Sequence, residues 1–414
     1  MGTICVGERK RVYLYHNPKH VQLTRVHFET MLIEHIPAEL ILFFILYGIT
    51  GVVPFVAAVY LLLRRGNAFA PDVTPPVRLR YWAAAFFAVS ALGHVWWYLF
   101  YAYSGDIHSV DDVLHSPAYV VVVMLDSITL LTTIAGTLMA MLQDRQRPVW
   151  PAFAAMIPFV VLGALQICDP DGPFINIAAI YLLSLYVLFF VYMVFAVRRY
   201  GQWLNDNYAD LENKNVWLTQ VVSLVCLLLF ILYALGDANT LLLSGLHFVE
   251  LILFSLLLWR VETLPELVEP LSVEETCIES APETSQESVV PTQEKHPLPL
   301  PSNIEQLLAE HCVGTQLYLQ HDLTLSQLAQ TIGTNRFYLS LYFSRQGITY
   351  NAYINDLRIN HFMRLYREAV AAQQPVIAQQ LANDSGYRSY STFSLAFKQR
   401  MGQSVTAWMR DTAK

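Results

Sequence analysis

The chain has 414 residues, of which 55% are hydrophobic and 14% charged, with a formal net charge of −7. So apolar a composition excludes an ordinary soluble protein and points to a membrane. The length is that of two or three domains, and the acid excess is uneven. Between residues 323 and 410, nine Lys/Arg stand against three Asp/Glu, a locally basic module. Five cysteines (Cys5, Cys168, Cys226, Cys277 and Cys312) lack CxxC or Cys/His spacing and read as unpaired thiols.

Residues 1–37 form an N-terminal tail. The first thirty carry five basic residues and no apolar run long enough for a signal peptide. Two readings stand: a natural start at Met31 with an upstream over-read, or a short disordered tail.

Residues 38–260 hold seven apolar runs close to the length a bilayer core requires, near 40–63, 81–103, 118–141, 149–168, 174–197, 217–236 and 240–259. They are far longer than barrel strands, so the expected structure is a seven-helix transmembrane bundle. The first, third and fifth gaps carry nine Lys/Arg: Arg64, Arg65, Arg78, Arg80, Arg145, Arg147, Arg198, Arg199 and Lys214. The second, fourth and sixth carry none, and hold Asp106, Asp111, Asp112, Asp169, Asp171 and Asp237 instead. The positive-inside rule then puts the N-terminus outside and the C-terminus in the cytoplasm of a multi-pass membrane protein. Asp126, Glu250, His94 and His247 are ionisable groups at bilayer depth. Such groups are candidates for sensing a ligand, with interhelical hydrogen bonds that fix packing as the alternative. The aromatic run from His94 to Tyr103 reads as an interfacial belt, and Pro54 and Pro158 are candidate kinks.

Residues 261–302 contain nine Glu, one Lys and seven Pro, the composition of a disordered acidic tether. Forty-two residues of coil span roughly 35 Å r.m.s.. Helical periodicity returns at 303–414, with Ile304, Leu307 and Leu308 on one face and Ser302 or Asn303 placed to cap.

Within that last region two segments share one design, LAQTIGTNRFYLSLYF (328–343) and LANDSGYRSYSTFSLAF (381–397). Each opens Leu-Ala, places a glycine (Gly333, Gly386) five residues after the leucine, and closes on an apolar–Ser–Leu–x–Phe helix. The alanine lets two helices cross closely. The glycine supplies a positive-φ turn, and Leu339/Phe343 and Phe393/Phe397 form buried i, i+4 stripes. This is the pattern of a helix-turn-helix, twice over.

With GITYNAYINDLRI (347–359) after the first unit and FKQRMGQSVTAWMR (397–410) after the second, the segment resembles the DNA-binding domain of AraC/XylS-family bacterial transcription regulators. The resemblance implies an all-α fold in which a long helix joins two helix-turn-helix units and holds both recognition helices on one face of double-stranded promoter DNA. The exposed faces would offer Asn335, Arg336, Phe337, Ser340 and Leu341 in the first unit, and Tyr390, Ser391, Ser394 and Leu395 in the second. Phe337, Leu341, Ser391 and Leu395 match base-contact positions. Many members carry Arg where Leu341 and Leu395 stand, and leucine there would pack on thymine methyls. Core packing is the alternative for Phe337 and Tyr390. Arg345, Arg388, Lys398 and Arg400 are expected phosphate contacts, and Arg358 matches a structural position. Tyr350, Tyr353, Leu357 and Phe362 are expected on the buried side of the joining helix.

The reading as a whole is a membrane-embedded one-component transcription regulator, not an enzyme, sensing an unknown small-molecule or membrane signal. Lipid, DNA, RNA polymerase and a second protomer are the expected partners, and no cofactor or metal is expected. With a flexible tether, changed pairing of domains is preferred over a rigid lever as the route of signalling. Two alternatives are a transporter or receptor with a fused DNA-binding reporter, and helices acting only as an anchor. The sequence contains no broken-helix pair, inverted repeat or HExxH spacing to favour the former. Seven spans with Asp126 and Glu250 inside them exceed what anchoring needs.

Overall fold

The computed structural model describes residues 37–64, 66–103, 116–212, 214–234, 240–267 and 303–412. The N-terminal tail with Met31, most of the second and sixth gaps, and residues 268–302 lie outside these. Every described regular element is a helix, apart from an isolated antiparallel bridge between Tyr208 and Thr324.

The apolar runs fold as α1 (Ala38–Leu63), α2 (Val77–Tyr103), α3 (Pro117–Ala140), α4 (Trp150–Ala155), α5 (Ile157–Cys168), α6 (Phe174–Asn207), α7 (Trp217–Ala234) and α8 (Thr240–Thr263). Among the described residues six helical segments are long and apolar enough to cross a membrane: α1, α2, α3, α4 with α5, α6 and α8. The sixth run, 217–236, is helical as α7, 18 residues long. Of the two candidate kinks, Pro158 sits at the break between α4 and α5, whereas Pro54 lies inside an uninterrupted α1. Large apolar side chains such as Phe44, Val52, Leu63, Ile180, Leu188 and Phe195 stand exposed along α1 and α6. In water such faces would be a liability, whereas lipid solvates them. The protein is therefore membrane-embedded.

α6 runs well past the apolar segment. Exposed large apolar side chains on it end at Phe195, and the helix continues through Arg198 and Arg199 to Asn207. That polar overhang of about ten residues extends roughly 15 Å. The helix ends on this side share a buried polar layer. Arg64 and Glu262 pair at 2.8 Å, Tyr60 donates to Glu262 at 3.0 Å, and Arg260 donates to the Asn215 carbonyl at 2.8 Å. The expected tether starts later than residue 261. α8 continues to Thr263, Val261 and Leu264 are fully buried, and Gln143 clamps the Pro265 carbonyl (3.0 Å) and the Leu267 N–H (2.8 Å). Glutamate and proline richness hid the apolar residues that pack these few positions.

The C-terminal region folds as α9 (Ile304–Leu308), α10 (Leu325–Thr331), α11 (Arg336–Arg345), α12 (Tyr350–Ala371), α13 (Ala378–Asp384), α14 (Tyr390–Met401) and α15 (Val405–Thr412). A π-helical turn and a short 3-10 turn connect α9 to α10. Caps define the starts. Thr324 and Gln327 form a reciprocal capping box at α10, and Asn335, Thr349 and Ser389 cap α11, α12 and α14. Asn303 occupies the N-cap of α9 but makes no side-chain cap bond. Two cores result. Leu328, Ala329, Leu339, Phe343, Tyr350 and Ile354 anchor the first, and Phe362, Ala382, Phe393, Phe397 and Trp408 the second. α12 contributes to both, with Tyr353 and Leu357 half-buried against the first. Arg358 is buried. Its Nε and guanidinium NH2 donate to the carbonyls of Tyr318 (2.7 Å) and Gln320 (2.8 Å), and the ring of Tyr387 lies beside it. Its role is structural.

Gly386 has φ +89°, and a Cβ there would meet the Leu319 carbonyl oxygen at 2.8 Å. Gly386→Ala is expected to cost about 1–3 kcal/mol of local stability. Faster amide exchange in α13 and α14 of the intact protein would show it, and unchanged exchange would contradict the packing described.

Candidate nucleic-acid interface

α11 and α14 are the second helices of the two units. Phe337, Ser340, Arg345, Ser391, Leu395 and Lys398 are exposed on them, and Phe337 and Leu395, at 45% and 61% exposure, are large apolar groups left uncovered. Leu341 and Ser394 are half-buried. Tyr390 packs against Phe393 in the second core, which favours the packing alternative for that residue. Asn335 uses its side-chain oxygen to accept the Phe337 N–H at 2.8 Å, so capping consumes the acceptor a base would need.

Several of the expected DNA contacts are engaged within the protein. The segment following α6 lies against both units. Asn207 Oδ1 accepts from Arg336 Nε (3.2 Å) and NH2 (2.5 Å), and Glu212 Oε2 accepts from the Thr392 hydroxyl at 3.1 Å. Ala209 N–H donates to the Leu323 carbonyl at 3.1 Å, and Asn351 donates to the carbonyls of Tyr208 (3.2 Å) and Ala209 (2.8 Å). Ala209 is buried in the first core itself. Lys214 pairs with Asp322 at 3.0 Å, and the other Asp322 oxygen pairs with Arg388 at 2.5 Å. Arg400 pairs with Asp356. Burial in the dock pushes the Tyr208 phenol up to about 12 and lowers the Arg336 pKa, with Tyr208 acting on Arg336 in the opposite sense. A cleft of about 990 Å³, lined by Arg78, Arg145, Glu212, Lys214, Asp322 and Arg388 among others, lies at this junction.

Asn207, Glu212, Asn351 and Thr392 had no place in the sequence reading. Local sequence pointed the other way for the helix, since Gly201 after Arg198 and Arg199 reads as a stop, yet α6 runs through it to Asn207.

Within the bundle the four sensing candidates converge. His94 (α2) and His247 and Glu250 (α8) bring donor atoms within 4.8 Å of one another, and Asp126 (α3) lies within electrostatic reach of His94 and Glu250. Thr50 of α1, fully buried, touches His94 Nε2 at 2.9 Å and His247 Nδ1 at 3.2 Å. Local windows showed no metal-ligand spacing because the donors come from helices far apart in sequence. The His-x-x-Glu spacing of His247 and Glu250, one helical face, was the available clue.

Residues 328–411 match the family model HTH_18, described as a helix-turn-helix domain. The match covers both units and the joining helix, and agrees with an AraC-type domain carried on a membrane-embedded protein. No curated protein and no solved structure matches the chain.

His361 of α12 is buried, with Nδ1 2.9 Å from the Tyr318 hydroxyl and 3.2 Å from Arg364. Burial, and then the charge of Arg364, push its pKa below the ordinary 6.5. A depressed folded-state histidine stabilises above the unfolded pKa and loses that contribution as pH falls. Amide exchange in α12 should therefore accelerate as pH drops below about 6.5, after correction for intrinsic exchange, and His361→Gln should flatten that dependence. A slope unchanged in the variant would remove His361 as its source.

Proposed function

We propose that the chain is a one-component transcription regulator that binds promoter DNA while embedded in the bacterial cytoplasmic membrane. α7 is then also a span and completes a set of seven, with the N-terminus outside and the helix-turn-helix units in the cytoplasm. The observation that carries this reading is a pair of helix-turn-helix units on one joining helix, held at the arginine-rich end of an apolar bundle. Sequence is read by Phe337, Ser340, Leu341, Ser391, Ser394 and Leu395 in two successive major-groove segments, within about one turn of duplex per protomer. Arg345, Arg388, Lys398 and Arg400 neutralise phosphates. No step of this scheme is catalytic.

The docked arrangement is the silent state. Base edges are read from the N-terminal residues of a recognition helix, and there Arg336 and Thr392 are held by Asn207 and Glu212. Activation releases the segment after α6 and frees Arg336 for DNA. A signal acts by preferring one of the two states.

The test uses full-length protein in lipid nanodiscs and genomic fragments that it enriches. Specific footprints with steep salt dependence are expected, and only salt-insensitive or sequence-blind binding would overturn the reading. Lys398→Ala should weaken all sequences alike and lower the salt slope by about one. Leu395→Ala removes an apolar contact with a thymine methyl and should cost about 1 kcal/mol of discrimination at one base step. Asn207→Ala combined with Glu212→Ala removes hydrogen bonds to a charged group and a hydroxyl. It should tighten DNA binding roughly tenfold by destabilising the dock; weaker binding would contradict a silent docked state.

A further inference from the structure

We propose that His94, His247 and Glu250, with the hydroxyl of Thr50, hold a divalent first-row transition-metal ion of the Zn²⁺ class. The site lies in the half of the bundle away from the helix-turn-helix units, and three helices build it. Thr50 comes from α1, His94 from α2, and His247 and Glu250 from successive turns of α8.

The spacing is that of a ligand shell. Thr50 Oγ1 stands 2.9 Å from His94 Nε2 and 3.2 Å from His247 Nδ1, and His247 Nδ1 stands 3.2 Å from Glu250 Oε2. Tetrahedral donors at ordinary zinc distances lie about 3.3–3.4 Å apart, close to these three separations, and the donor atoms of His94, His247 and Glu250 all lie within 4.8 Å of one another. His94 is already oriented. Its Nδ1 lies 2.9 Å from the Ser90 carbonyl. A proton held there leaves Nε2 with a free lone pair, the outer contact that metal-bound histidines make. Thr50 lies 2.9 Å from the Leu46 carbonyl, so its hydroxyl donates there and turns its oxygen lone pairs to the ion.

Charge supplies an independent argument. Glu250 lies inside an apolar span, and Asp126 is close enough to interact with it. Two carboxylates without a cation are costly in a low-dielectric bundle. Neutral imidazoles, Glu250 and Asp126 around a dication give zero net charge. Asp126 stays outside the shell, where Trp97 Nε1 contacts its Oδ2 at 3.4 Å. Phe43 and Tyr47 wall the ring of His247 at 5.7 and 5.6 Å, and Tyr47 lies 4.8 Å from that of His94. Such a shell shields the site from water and strengthens binding.

The ion's service as the regulator's signal rests on the regulatory reading; the binding site itself does not. α8 links the two ends. Beyond Glu250 it packs Leu253, Phe254 and Leu257 in the same core as Met193 and Leu204 of α6, and its Arg260 holds the Asn215 carbonyl beside the dock.

Metal-free protein in nanodiscs is titrated with Zn²⁺, with bound metal counted by elemental analysis, and with Co²⁺, whose visible absorption reports a tetrahedral nitrogen–oxygen shell. One ion per chain is expected. Affinity should fall at least tenfold in His94→Ala, His247→Ala and Glu250→Gln, each checked for an unchanged size-exclusion profile. Thr50→Val, which keeps the shape and removes the oxygen, should alter the Co²⁺ spectrum. Substoichiometric binding by the wild type, or binding indifferent to all four changes, would overturn the site and leave a hydrogen-bonded packing cluster. DNA footprinting runs separately, so loss of metal binding with intact footprints sinks the site alone, and the converse sinks only the regulator.

Discussion

The arrangement depends on one constraint: α6 does not stop at the membrane surface. A single helix runs from Phe174 to Asn207, and the residues just beyond it enter the core of the first helix-turn-helix unit. Ala209 is buried there, and its N–H is bonded to the Leu323 carbonyl. The helix thus has one end in the apolar bundle and the other against a folded domain, joined by a continuous ladder of backbone hydrogen bonds. The preference for changed domain pairing followed from the tether; the overhang gives the bundle and the domain a second connection, through which a lever is also physically open.

The second constraint is the cost of polar groups away from water. At the arginine-rich end that cost is met by pairing, as in Arg64 with Glu262 and Arg147 with Asp144, and by carbonyls that receive Arg260 and Gln143. These bonds tie residues 261–267, the loop before α2 and the segment after α6 into one layer on which the docked domain rests. At the other end His94, His247, Glu250 and Asp126 meet inside the bundle, where a dication balances them. The two polar clusters are joined by α8, which carries residues of both.

The C-terminal domain was the most legible part. Its glycine turns appear at Gly333 and Gly386 with φ of +73° and +89°, its buried stripes at Leu339, Phe343, Phe393 and Phe397, and Arg358 as a structural residue, because local periodicity and turn chemistry decide all of these. The apolar spans were legible for the same reason. Contacts between distant segments were not. Nothing near Arg336 in sequence indicates Asn207, and nothing near His94 indicates His247. Tyr390 illustrates a local ambiguity that only tertiary packing resolves, since one ring at a recognition-helix start serves equally as a reader or as core. The tether's first seven residues show composition outvoting the few apolar side chains that fix them.

A disulfide across the dock tests the central claim most directly. Tyr208 and Thr324 are antiparallel bridge partners, and such residues stand about 4.5–5.5 Å apart between Cα atoms, within disulfide reach. In protein whose native cysteines are replaced by serine, Tyr208→Cys with Thr324→Cys should crosslink under mild oxidation. Specific DNA binding should vanish in the oxidised protein and return on reduction. Crosslinked protein that binds its sites with unchanged affinity would contradict the account, because the segment after α6 would then leave the recognition helices free.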